Sequence, residues 1–69
     1  MAALSIVAVD DQCERRLLGW VLELGAKIDH VTPYPHTHGG KEYHISIAPD
    51  RVQPMIGRLR TSGGFRWRG

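Results

Sequence analysis

The sequence predicts an α+β domain in the order strand, helix, strand, strand, helix, strand, with a four-stranded antiparallel sheet and two helices on one of its faces. Three observations carry that expectation. Two segments, after Asp11 and after Pro49, space their apolar residues at helical intervals. Two strand-like segments flank Gly39-Gly40, a favoured hairpin dipeptide. Pro33 and Pro35 stand two apart in the first of those strands, a spacing tolerated only at a sheet edge.

Each element has its own local reason. Residues 3–9 are apolar and partly β-branched and end at Asp10-Asp11, which suits a buried strand leading into a helix. Asp11-Gln12-Cys13-Glu14 has capping-box spacing, with Asp11 accepting from an orphan amide and Glu14 reaching back. At about 100° per residue, Cys13, Leu17, Trp20, Val21 and Leu24 share one side of the helix, while Arg15, Arg16, Gly19 and Glu23 share the other. Gly25 closes it as a left-handed cap.

Residues 26–35 and 41–48 read as paired strands. With Gly39-Gly40 as a two-residue turn, residue 38 faces 41, 36 faces 43, 34 faces 45 and 32 faces 47. Tyr43, Ile45 and Ile47 then line the core face with Ile28, and Glu42, His44 and Ser46 the open one. Pro49-Asp50 opens a second helix whose stripe is Val52, Met55, Ile56 and Leu59, with Arg51 and Arg58 outside it and Pro54 giving an irregular first turn. Gly63-Gly64 ends it, and Phe65-Arg66-Trp67-Arg68 alternates like a last strand. This order is the ferredoxin-like βαββαβ unit, in which the second strand is an edge, as the prolines require.

Composition bounds the function. Sixty-nine residues make a single domain, residues 1–69, which buries only about 60% of its unfolded surface. No stretch approaches the roughly 18 apolar residues of a membrane span, and no basic segment precedes the first apolar run as in a secretory signal. Cys13 is the only cysteine, which rules out an internal disulfide and points to the cytoplasm. The formal charge of +2 hides an asymmetry: residues 1–50 carry −3, whereas residues 51–69 carry five arginines and no acid. Such a basic segment, densest over 58–69, suggests a polyanionic or acidic partner.

The chemistry-bearing residues give little support to catalysis. His36-Thr37-His38 supplies two imidazoles that point the same way in a strand, but the expected register turns His44 to the opposite face, so no metal site is expected. Cys13 faces the core and has no oriented base, and capping accounts for Asp11 beside Asp10. Gly39-Gly40 and Gly63-Gly64 fit neither a P-loop nor a dinucleotide fingerprint. The expectation is a non-enzyme without a cofactor.

Two resemblances arise. Val7-Ala8-Val9-Asp10-Asp11, Leu17-Leu18 and Leu24-Gly25-Ala26 resemble the opening of a response-regulator receiver, but the third-strand phospho-acceptor aspartate has no counterpart here. Residues 4–68 as a whole are similar in pattern to an ACT-type regulatory domain: a strand ending in Asp, a helix ending in Leu24-Gly25-Ala26-Lys27-Ile28, a hairpin, a helix from Val52 to Leu59 and a strand after Gly64. That resemblance implies the same fold and a dimer that senses a small metabolite. The chain departs from it in the turn after the first strand, where Asp11, Gln12 and Cys13 replace the glycine that lets a ligand approach.

The binding reading rests on Arg51, Arg58, Arg60, Arg66, Arg68 and Trp67. Guanidinium groups pair bidentately with carboxylates and phosphates, and aromatic rings between them can stack on bases. Phe65 and Trp67 are expected to face the core, leaving Arg66 and Arg68 beside Ser5, His44 and Ser46 on the open sheet face. The expected partner is an acidic protein surface or a nucleoprotein complex, with nucleic acid itself and a homodimer as alternatives and no membrane. In size alone the chain also resembles phage-encoded inhibitors of host or defence machinery.

Overall fold

The computed structural model describes residues 1–34 and 39–68. Strands β1 (Ala2–Ala8), β2 (Lys27–Pro33), β3 (Lys41–Ile47) and β4 (Phe65–Arg68) form one sheet in the order β2-β3-β1-β4, with every pairing antiparallel. Helices α1 (Asp11–Glu23) and α2 (Val52–Ser62) complete a ferredoxin-like α+β fold. Both contribute to one core with the inner face of the sheet: Leu17 and Val21 from α1, Met55 and Leu59 from α2, and Ile6, Tyr43, Ile45 and Ile47 from the central strands. No helix among the described residues is long and apolar enough to cross a membrane.

Helix α1 forms where its stripe predicts, and its stop is a Schellman motif. Gly25, at φ 68°, donates to Leu22 O at 3.3 Å, while Ala26 donates to Val21 O at 2.9 Å. Its start differs from the expected capping box by one residue. Asp10, not Asp11, is the N-cap, and its carboxylate accepts from Cys13 N at 2.8 Å. Glu14 is thereby released from any capping role. Its carboxylate instead accepts from the Tyr43 hydroxyl and, at 2.9 Å, from Lys41 Nζ, which fastens α1 to β3. The entry to α2 is a 3-10 turn over Pro49–Arg51, the irregular start expected ahead of Pro54.

The hairpin corrects the expected register. Pro33 faces Lys41, Thr32 faces Glu42, Val31 faces Tyr43 and His30 faces His44. The connection therefore begins at Tyr34, whose N–H donates to Gly40 O at 3.0 Å, so Gly39-Gly40 is only the last part of it. His36 and His38, the two imidazoles that could share a metal, lie outside the described residues, as does Pro35. A bulge at Asp29 restores the alternation, so that Ile28 still packs inward opposite Ile45. The edge position of β2 stands, because the Tyr34 bond sets the alternation that turns the nitrogen of Pro33 away from β3.

Candidate functional site

The face of the sheet opposite the helices is organised in two rows. Reading across β2, β3, β1 and β4, one row is His30, His44, Ser5 and Arg68, and the next is Thr32, Glu42, Val7 and Arg66. Each row ends in an arginine because β4 alternates: Phe65 is buried and Trp67 half-buried against the core, while Arg66 and Arg68 are exposed. Period two decides this.

His44 is the organising residue of the middle of the face. Its Nδ1 lies 3.2 Å from Ser5 Oγ, its Nε2 lies 3.4 Å from Thr32 Oγ1, and its ring stacks on His30 with centroids 4.1 Å apart. Glu42 Oε1 stands 3.6 Å from the same Nε2. Serine, imidazole and carboxylate are the residue types of a nucleophile relay, but 3.6 Å is beyond a hydrogen bond and Thr32 shares the nitrogen. What this geometry does is fix the imidazole between Ser5, Thr32 and the stacked His30 ring. Next to it, Ser46 donates to Asp29 Oδ2 at 2.6 Å.

Charge on this face is mixed. The acids Glu42 and Asp29 belong to β3 and β2, where exposed Lys27 also stands opposite Ser46, and the two guanidiniums belong to the other edge strand, β4. Arg68 Nη2 stands 3.7 Å from Glu42 Oε2, yet the Arg68 side chain is 81% exposed, so the pair binds it only loosely. Arg66 forms no ion pair among the described residues. A cleft of about 310 Å³ is lined by Val7, Tyr34, Glu42 and both arginines. Sequence reasoning missed it. The five-residue slip in register turns Tyr34 from the core face to this one, and Val7 is 5% exposed although it faces away from the helices.

The other residues expected to bind a partner divide. Arg60 lies over the Trp67 ring at 5.9 Å and so stays beside β4. Arg58 is committed elsewhere: its Nη2 bonds Glu23 Oε1 of α1 at 2.8 Å, and its Nη1 is buried without a hydrogen bond. Arg51 is at the entry to α2, 3.9 Å from its neighbour Asp50. The structure therefore gathers Arg60, Arg66, Trp67 and Arg68 at β4 and leaves Arg51 and Arg58 apart from them.

The remaining titratable groups have structural causes. Burial pushes the Cys13 thiol up from its ordinary value, which works against a thiolate nucleophile. The Cys13 amide holds the Asp10 carboxyl below its ordinary value, and the hydrogen bond from Tyr43, with Lys41 beside it, does the same for Glu14. Among the described residues no group of three or more His, Cys, Asp or Glu side chains is placed to hold a metal. Comparison with protein families, with curated proteins and with solved structures finds no match to this chain.

Proposed function

We propose that this chain is a small non-catalytic binding protein, regulatory or inhibitory in effect, that engages an acidic protein or nucleoprotein partner through Arg66 and Arg68. The observation that carries this reading is the placement of both guanidiniums, open to solvent, on one face of an outer strand whose alternate residues pack inward. Holding them on a strand fixes their spacing and lowers the entropy cost of pairing with two carboxylates. The mixed face favours protein over nucleic acid, because Glu42 and Asp29 would repel a phosphate backbone laid across the sheet. Nor do the central strands carry a Phe, Tyr or Trp ring on this face: β1 and β3 present Ser5, Val7, Glu42, His44 and Ser46 there, and the His44 ring is already stacked on His30.

Salt titration separates the two partner classes. Duplex binding through Z phosphates falls with a slope near −0.9Z in log K against log salt. Binding to an acidic protein with negligible affinity for duplex supports the proposal, and steep duplex binding lost in Arg66→Ala/Arg68→Ala overturns it in favour of nucleic acid. Charge-assisted bonds are worth about 1.5–3 kcal/mol each, so the double variant should weaken the protein complex at least tenfold.

A further inference from the structure

Both edges of the sheet end in a strand, and they are built differently. At one edge, β2 carries Pro33, which has no amide to donate, and a bulge at Asp29 that breaks its regular pairing. At the other, β4 has no proline and runs in unbroken register along β1 from Phe65 to Arg68. The direction of its backbone groups follows from the Tyr34 N–H to Gly40 O bond, which turns the even members of the β3 segment toward β2. Alternation then turns its odd members toward β1, Ser5 and Val7 toward β4, and Arg66 and Arg68 back toward β1. The N–H and C=O groups of Phe65 and Trp67 are left pointing outward, and no backbone bond joins either to another described element.

We infer that β4 accepts an extended acidic segment of a partner protein as a fifth strand. This rests on the proposed function and names the partner's chemistry and its mode of docking. The added strand would bond to the outward groups of Phe65 and Trp67, as in strand addition generally. Its side chains opposite Arg66 and Arg68 lie on the open face within reach of the guanidiniums, and the residue between them faces the half-buried Trp67. The recognised pattern is therefore acidic, apolar, acidic. A second copy of this chain is a poor occupant. Its own β4 would set arginine against arginine, its β2 is blunted, and its seven acids at 10, 11, 14, 23, 29, 42 and 50 include no two spaced two apart.

A fluorescent peptide alternating Glu and Val tests this, alongside the same peptide N-methylated at its bonding amides and a permuted peptide with its Glu residues consecutive. Expected results are binding of the alternating peptide, loss of about tenfold or more on N-methylation or permutation, and a similar loss in Arg66→Ala/Arg68→Ala. Amide exchange should slow at Phe65 and Trp67 on binding. If all peptides bind alike, with dependence on the arginines but no new protection at those amides, the strand mode is overturned while the arginine surface stands. If no acidic peptide binds and duplex DNA does, the inference and the proposed function both fall.

Discussion

Glu14 is the residue through which α1 and β3 hold each other, and its removal can be worked out from the structure. Its carboxylate accepts from the Tyr43 hydroxyl and from Lys41 Nζ. Tyr43 is 4% exposed, so a lost acceptor leaves its hydroxyl without ready access to water. A hydrogen bond to a charged group is worth about 1.5–3 kcal/mol, and a buried donor left unsatisfied costs about 1–3 kcal/mol. Glu14→Ala should therefore destabilise by about 2 kcal/mol, which in a domain this small lowers Tm by roughly 8–16 °C. Glu14→Gln keeps an acceptor oxygen and loses only the charge, so about 1 kcal/mol is expected.

The pH dependence isolates that charge. The folded-state pKa of Glu14 is depressed below its ordinary 4.5, so its contribution is fully present above that value and is lost as pH falls through the depressed one. Gln is an isostere of the protonated acid. In urea melts the gap between wild type and Glu14→Gln should be constant near neutral pH and close in acid. A gap that persists undiminished in acid, or Glu14→Ala melting with wild type at neutral pH, would refute the assignment of Glu14 as the tie between helix and sheet.

Three further outcomes follow from local geometry. Gly64 sits at φ 78°, and a Cβ there would meet Cys13 Sγ at 3.3 Å, so Gly64→Ala should cost about 1–3 kcal/mol, and part of that should be recovered in the Cys13→Ala background, read from a double-mutant cycle of chemical melts. Asp10→Ala should lower Tm while Asp11→Ala leaves it nearly unchanged, because Asp10 is the residue that caps α1; the Asp10 contribution should fade as pH drops below its ordinary 3.8. Trp67→Ala should destabilise by about 2–3 kcal/mol in the same melts, below the range for a fully enclosed ring, because Trp67 is half-buried beneath Arg60.

What the sequence revealed and what it hid have separable physical causes. Amphipathic stripes are local periodicities, so Leu17, Val21, Met55 and Leu59 could be placed in the core from spacing alone, and the arginine face of β4 followed from period two. The edge position of β2 followed from proline's missing amide. The hairpin register did not, because Gly39-Gly40 is a strong local turn signal that says nothing about where Lys41–Ile47 pairs, and the Asp29 bulge leaves no mark in the hydrophobic pattern. The N-cap is ambiguous in the sequence because adjacent aspartates offer the same chemistry, and only the Cys13 amide distinguishes Asp10 from Asp11. Glu14 with Tyr43 and Arg58 with Glu23 are long-range pairings that no spacing rule anticipates. For the same reason the sequence suggested one arginine surface where the fold makes several separate placements.

The most direct test of the central claim is to measure affinity for an acidic partner segment and melting temperature on the same samples of wild type, Arg66→Ala/Arg68→Ala and Trp67→Ala. The exposed arginines should behave as the main binding groups: the double variant keeps the wild-type Tm and loses at least tenfold in affinity, while Trp67→Ala lowers Tm and its folded fraction loses less affinity than the arginine variant. The opposite pattern, with the arginine variant binding normally and Trp67→Ala fully folded but unable to bind, would contradict the account and make the aromatic ring the contact.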